Sequence, residues 1–263
     1  MQLTGEKLLM LENEMVQIMK DETKILASSW KNIQQINLKN ERDIVTKLDV
    51  TIEENVRKRL SLLLPEAGFI VEEGLSNKSA DYNWLIDPID GTKEFAHHTP
   101  LFVSQICLMY KDEPICAVIY NPLTDQCFSA SKNNGARVND ESVQIKFHRN
   151  LSESVILLDL LKLTSKESWK YQLFKALSEN SYRVRMMGGS FAIYSLFGTF
   201  DAYITSNPPN KIMDTNPRAL ILQEAGCVIE RISIENNTIH LMAHKKLADE
   251  ISEIIHRSMS INQ

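Results

Sequence analysis

"NWLIDPIDGTKEF", residues 83–95, is the stretch on which the reading of this chain turns. An apolar run ends at Asp87, Asp90 follows three residues later, and Gly91 and Thr92 come at once. Two carboxylates held this close repel each other unless positive charge sits between them. Pro88 fixes the backbone and Gly91 permits close approach, so the segment reads as a strand running into a tight turn that carries both aspartates. Thr92 sets a hydroxyl beside them.

The same pattern recurs elsewhere. "GFIVEEG" (68–74) reads as a strand ending in Glu72 and Glu73, "DIVTKLD" (43–49) ends in Asp49, and Asp214 stands before a helical pattern. All these carboxylates fall at strand ends or helix starts, where side chains converge on clefts. Taken one at a time, a D-x-x-D reads as a turn or cap, E-E-G as a solvated strand end, and Asp214 as an N-cap. Together, several carboxylates and a hydroxyl suit a hard cation such as Mg²⁺ and metal-assisted hydrolysis of a phosphate ester.

Residues 4–30 have mostly helical apolar spacing, with a charged outer face. Thr51 with Glu54 three later makes a capping-box pattern for a helix over about 51–64, stopped by Pro65. Residues 101–147 break into short strand-like runs separated by "KDEP", "NPLTD" and "KNNG", the texture of an antiparallel meander. Another apolar run, "ESVILLDLL", follows, then a helix over 167–178. Residues 182–204 read strand, glycine turn, helix, strand. A helix is expected from about 215 to Gly226, then a strand, and a last helix over 245–258. The expected class is α+β, a single domain over 1–263 with an N-terminal half of about 1–150 and a C-terminal half of about 151–263.

The composition is that of an ordinary globular protein, 43% hydrophobic and 24% charged over 263 residues. A net charge of −5 argues against a nucleic-acid polymer as partner. Cys107, Cys116, Cys127 and Cys227 form no C-x-x-C pair, which argues against zinc and thioredoxin chemistry. The first three lie in apolar runs, as core thiols do. The N-terminus has no basic-then-apolar leader, and no run approaches the ~20 apolar residues of a membrane helix. A cytoplasmic, soluble protein with no membrane partner is expected.

"WLIDPIDGTKEF" resembles the signature of the inositol monophosphatase family, Mg²⁺-dependent, lithium-sensitive phosphatases that include bisphosphate nucleotidases and some fructose-bisphosphatases. "DIVTKLD", "GFIVEEG", the F-x-H-x-x-P spacing of Phe95, His97 and Pro100, "GGSFAIYSLFGTFDAYI" and "DTNPRALILQEAGCVI" resemble further family segments across most of the chain. The resemblance implies a layered αβαβα sandwich, a homodimer, and a site for two to three Mg²⁺ ions with Li⁺ as inhibitor. Glu72, Asp87 and the Ile89 carbonyl would hold the first ion. Asp87, Asp90 and Asp214 would hold the second, and Glu72 would also serve a third. Thr92, hydrogen-bonded to Asp49, would orient and activate the attacking water. Backbone N–H groups of Gly91 and Thr92 would hold phosphate oxygens, with Asp90, Ser190 and Asn207 in contact with substrate.

The chain departs from the family pattern in the segment around Asp214. Met213 stands in place of Trp, and Asn216, Pro217 and Arg218 replace small residues. Asn207 stands where inositol-specific members have a glutamate. Lys93 and Glu94 resemble the bisphosphate nucleotidases, whereas the run from Phe95 to Leu108 resembles the inositol branch. His97 and His98 read as loop packing, not as ligands. The resemblance therefore implies a phosphoric monoester hydrolase acting on a small phosphate ester, foremost inositol 1-phosphate. The alternatives are a 3'(2'),5'-bisphosphate nucleotidase and a degenerate relative that binds a phosphorylated ligand or a protein partner without turnover.

Overall fold

The structure is a computed structural model that describes residues 3–32, 36–40, 43–71, 75–79, 81–146, 149–160, 168–206, 212–234 and 237–260. Of these, 32, 36–40, 43–46, 212–214, 259 and 260 are described by backbone alone. The chain divides into two compact units: Met1–Val143 with Asn216–Glu224, and Gln144–Thr215 with Ala225–Gln263.

The first unit opens with helices α1 (Gly5–Thr23) and α2 (Ile25–Ser29) and the antiparallel pair β1 (Ile36–Asn40) and β2 (Asp43–Thr46). Helix α3 (Lys47–Leu63), β3 (Gly68–Val71), β4 (Tyr82–Asp90) and α4 (Thr92–Ala96) follow. The expected meander is β5 (Val103–Tyr110), β6 (Glu113–Asn121), β7 (Gln126–Ser131), β8 (Ala136–Val138) and β9 (Glu141–Val143). Strands β3 to β9 lie in sequence order in one sheet, antiparallel except for the β3–β4 pair. Strand β5 is buried along nearly its whole length, so its residues are apolar or small almost throughout and do not alternate.

Helix α1 lays Leu8, Leu11, Met15, Ile18 and Met19 on this sheet, the apolar stripe expected from the sequence. Its Glu12 is buried, unlike the charged outer face of the helix. Ser129 and Ser131 hydroxyls donate to it at 2.7 and 2.6 Å, and Arg137 at 3.1 Å. A buried carboxylate is tolerated because donors surround it.

Helix α3 begins at Lys47, not at Thr51 as the capping-box pattern suggests. The Thr51 hydroxyl donates to the Lys47 carbonyl at 2.9 Å, the back-bond of a threonine inside a helix. This earlier start puts Asp49 in the first turn, where the helix dipole favours an acid.

The second unit holds β10 (Val155–Asp159), α5 (Ser168–Asn180), β11 (Arg183–Met186), β12 (Ala202–Thr205), α6 (Ile212–Glu224), β13 (Val228–Ile234), β14 (Asn237–Ala243) and α7 (Lys245–Ser260), with the last part of α6 belonging to the first unit. Its sheet runs β11-β10-β12-β14-β13, parallel among the first three and antiparallel after. Helices α5 and α7 pack together over its core. The helix expected after the glycine turn is a 3₁₀ helix, Gly189–Phe197, ended by Gly198 at φ 72°. Helix α6 starts at Ile212, so Pro217 falls inside it and not in the first turn. Lacking an N–H, Pro217 leaves the Met213 carbonyl without its usual helical donor.

All four cysteines are buried free thiols. Burial pushes Cys107 and Cys116 far up, and Cys127 and Cys227 to about 12. These are inert core thiols, as the apolar runs around the first three suggested.

Candidate active site

The expected turn at Asp87–Asp90 is the end of a strand. From Asp87 to Asp90, β4 makes three residue steps against two on β5, pairing Asp87 with Gln105 and Asp90 with Val103. The extra residue is a bulge, and Pro88, which cannot donate to a ladder, lies within it. Such a bulge re-aims side chains that strict alternation would send to opposite faces. The Pro88 carbonyl is held by the buried Ser104 hydroxyl at 2.6 Å.

Asp87 is 3% exposed. Its Oδ1 accepts the Ile89 N–H at 3.1 Å and its Oδ2 accepts Gln105 Nε2 at 3.2 Å. Both carboxylate oxygens are thereby oriented by the strand that carries them and by the strand beside it.

Gly91 follows at φ 100°, ψ 38° and opens α4. A Cβ there would lie 2.8 Å from the Leu101 carbonyl oxygen, so the turn admits only glycine without distortion. Phe95 locks the short helix down, its ring meeting Phe102 edge-on at 4.8 Å. Thr92 Oγ1 donates to the Ile89 carbonyl at 2.8 Å. A hydroxyl has one proton, so in this arrangement Thr92 does not give it to Asp49, the partner implied by the resemblance. Asp49 itself is buried on α3, which packs against β4.

Arg218 reaches this strand end from α6. Its guanidinium, 1% exposed, forms an ion pair with Asp90 Oδ2, on a carboxylate that is 15% exposed. The C-terminal end of the helix is pinned in the same unit: Glu224 accepts the N–H groups of Asn133 at 2.8 Å and Gly135 at 2.9 Å. The ion pair answers the question raised by the crowded aspartates in part with the chain's own cation.

Of the remaining expected site residues, Ser190 is buried in the 3₁₀ helix of the second unit, and Asp214 lies on α6 with only its backbone described. Glu72 and Asn207 lie outside the described residues. Among the described residues no three His, Cys, Asp or Glu side chains form a metal-holding group. His98 Nδ1 lies 2.6 Å from the Trp30 carbonyl, the loop packing expected of it.

A family model described as the inositol monophosphatase family matches residues 10–260. The chain belongs to that family. It is similar to an inositol-1-monophosphatase of Rhizobium meliloti (strain 1021), 32% identical over 200 residues that cover 73% of this chain and 75% of that protein. It is also similar to a fructose-1,6-bisphosphatase/inositol-1-monophosphatase of Aquifex aeolicus (strain VF5), 25% identical over 244 residues, 90% of this chain and 92% of that one. Among solved structures, the extragenic suppressor protein suhB of Bartonella henselae matches with a TM-score of 0.81 at 24% identity, over 94% of this chain and 98% of that one. The fold is therefore the layered α+β fold of the inositol monophosphatase family, and as a member the chain is a phosphoric monoester hydrolase.

The family's first ion fits what is present. Asp87 and the Ile89 carbonyl are oxygen donors of the kind Mg²⁺ takes, set on a rigid strand end. The second ion does not fit Asp90 in the same way. Two unit charges about 4 Å apart interact by roughly 4 kcal/mol at an intermediate effective dielectric, so a dication beside a guanidinium would meet about twice that in repulsion.

Two residues of the site escaped sequence reasoning. Gln105 was detectable as the polar residue inside "LFVSQICLMY". Arg218 stood out as a departure from small residues, but its partner lies 128 positions away and left no local sign.

Proposed function

We propose that this chain hydrolyses a small phosphorylated polyol or sugar, foremost inositol 1-phosphate, to the free alcohol and phosphate with Mg²⁺ as cofactor. The observation that supports this most is the buried Asp87, with both oxygens oriented, on a strand end that passes directly into Gly91 and Thr92.

Asp87, the Ile89 carbonyl and Glu72 would hold Mg²⁺. Bound there, Mg²⁺ would lower the pKa of a water towards neutrality and offset the charge of the phosphoryl group. The chain's own residues do the rest. Thr92, with its proton on the Ile89 carbonyl, keeps oxygen lone pairs with which to accept a hydrogen bond from the attacking water and hold it in line. The tight Gly91 turn would bring the backbone close enough for the N–H groups of Gly91 and Thr92 to meet phosphate oxygens. By the family resemblance, Ser190, Asn207, Asp49 and Asp214 would also belong to the site, and the chain would act as one functional domain. A homodimer, a cytoplasmic location and inhibition by Li⁺ belong to the same reading.

Lys93 next to this turn is exposed, which favours the polyol phosphate over a bisphosphorylated nucleotide. A phosphate-release screen over inositol phosphates, bisphosphorylated nucleotides and sugar bisphosphates, with and without Mg²⁺, tests the proposal. Mg²⁺-dependent release from inositol 1-phosphate above the others is expected. Preference for a bisphosphorylated nucleotide replaces the substrate, and no release from any substrate refutes turnover.

A further inference from the structure

We infer that Arg218 is a resident cation standing in for one divalent ion at Asp90, so that this chain binds one ion fewer there than its family pattern implies. The inference rests on the family reading of the site, and it concerns ion binding, which is measurable apart from hydrolysis.

Three features carry it. The guanidinium is almost wholly out of water, on a chain whose Asp90 partner is itself only slightly exposed. A buried arginine cannot shed its proton, so its charge is permanent and an anion must stay beside it. The carboxylate it holds is one the resemblance assigns to a divalent ion, and the residues it displaces are small in the family pattern. An ion on Asp90 would meet a permanent, water-excluded positive charge on the same carboxylate. Asp87 accepts the Ile89 N–H and Gln105 Nε2, neutral donors that orient its carboxylate oxygens.

The placement of Arg218 is also determined by more than the pair. Glu224, six residues along α6, takes two backbone N–H groups of the β7–β8 connection, and Asn216 Nδ2 lies 3.5 Å from Met109 Sδ on β5. The arginine is therefore delivered to the strand end by a helix anchored on the same sheet, not by a loose surface side chain.

The test counts bound Mn²⁺ by equilibrium dialysis on the full chain in the presence of inorganic phosphate, alongside thermal unfolding with and without Mn²⁺. Arg218→Ala is expected to bind one more Mn²⁺ per chain than the parent. Its midpoint is expected to fall without metal, where Asp90 loses its cation, and to recover with Mn²⁺ by more than the parent gains. Arg218→Ala combined with Asp90→Asn is expected to lose the added ion. Asp90→Asn alone keeps the arginine and serves if Arg218→Ala does not fold: the ion count should stay at the parent value. An equal count in parent and Arg218→Ala, or a count that drops by one in Asp90→Asn, overturns the inference and leaves Arg218 as an ion-pair residue only. The expected counts with no phosphate release from any substrate would uphold the inference while refuting the proposed hydrolysis.

Discussion

The Thr92 hydroxyl donates to the Ile89 carbonyl at 2.8 Å, closing a three-residue return between the bulged end of β4 and the start of α4. That bond consumes the hydroxyl's only proton and fixes its oxygen as an acceptor. Thr92→Ala should therefore lower kcat by roughly tenfold to hundredfold through loss of water positioning, with KM nearly unchanged. Thr92→Ser should restore most of the rate. Initial-rate kinetics decide it, and a rise in KM alone would make Thr92 a substrate-binding residue instead.

Lys93, one residue on, is exposed. Lys93→Ala should change kcat/KM by less than about twofold on every phosphate ester tried. A charge-assisted contact to a second phosphate would instead cost about tenfold to hundredfold on bisphosphorylated substrates alone. Selective loss of that size in the substrate screen would move the chain to the nucleotidase reading.

Gly91 tests the turn itself. Gly91→Ala forces a side chain into φ 100° and sets its Cβ 2.8 Å from the Leu101 carbonyl. Strain of about 1–3 kcal/mol is expected, lowering the thermal midpoint by several degrees. Activity should fall as well, because relief requires the Gly91–Thr92 backbone to move. A variant with unchanged midpoint and rate would show that the turn tolerates a Cβ.

His240 on β14 is half-buried, and desolvation, aided by the charge of Arg231 opposite it on β13, lowers its pKa below the usual 6.5. The folded state thus resists protonation more than the unfolded one. Its contribution to stability is complete above about 6.5, the unfolded value, and is lost as pH falls through the lower folded value. Denaturant titrations of His240→Gln should show a flatter fall in stability below pH about 6.5 than the parent. A parallel fall in both would assign the acid sensitivity elsewhere.

Much of the architecture is local and was therefore legible. The meander from Val103 to Val143 shows as short apolar runs because each strand is set by its own turn residues and by burial on the sheet. The stripe of α1 is legible for the same reason, since the helical period is a property of consecutive residues. The segment Asp87-Pro88-Ile89-Asp90-Gly91-Thr92 could be singled out because all six positions are neighbours in the chain.

What failed to show depends on distant partners. Thr51 and Glu54 fit a helix start, but α3 had already begun at Lys47. Glu12 is buried against Ser129, Ser131 and Arg137, more than a hundred residues away, which no local pattern shows. The bulge between Asp87 and Asp90 exists only against β5, because a strand's register has no meaning without its neighbour.

The sequence by itself carried the family, the strand meander and the apolar stripe of α1, since these follow from residue types and short spacings. Tertiary structure alone decided where the charges balance. Arg218 and Asp90 are 128 positions apart, and a buried guanidinium takes whichever carboxylate the packed helix brings within reach. That choice is made where α6 brings Arg218 to the end of β4, because electrostatic energy depends on distance in space and on exclusion of water, neither of which is written in the order of residues.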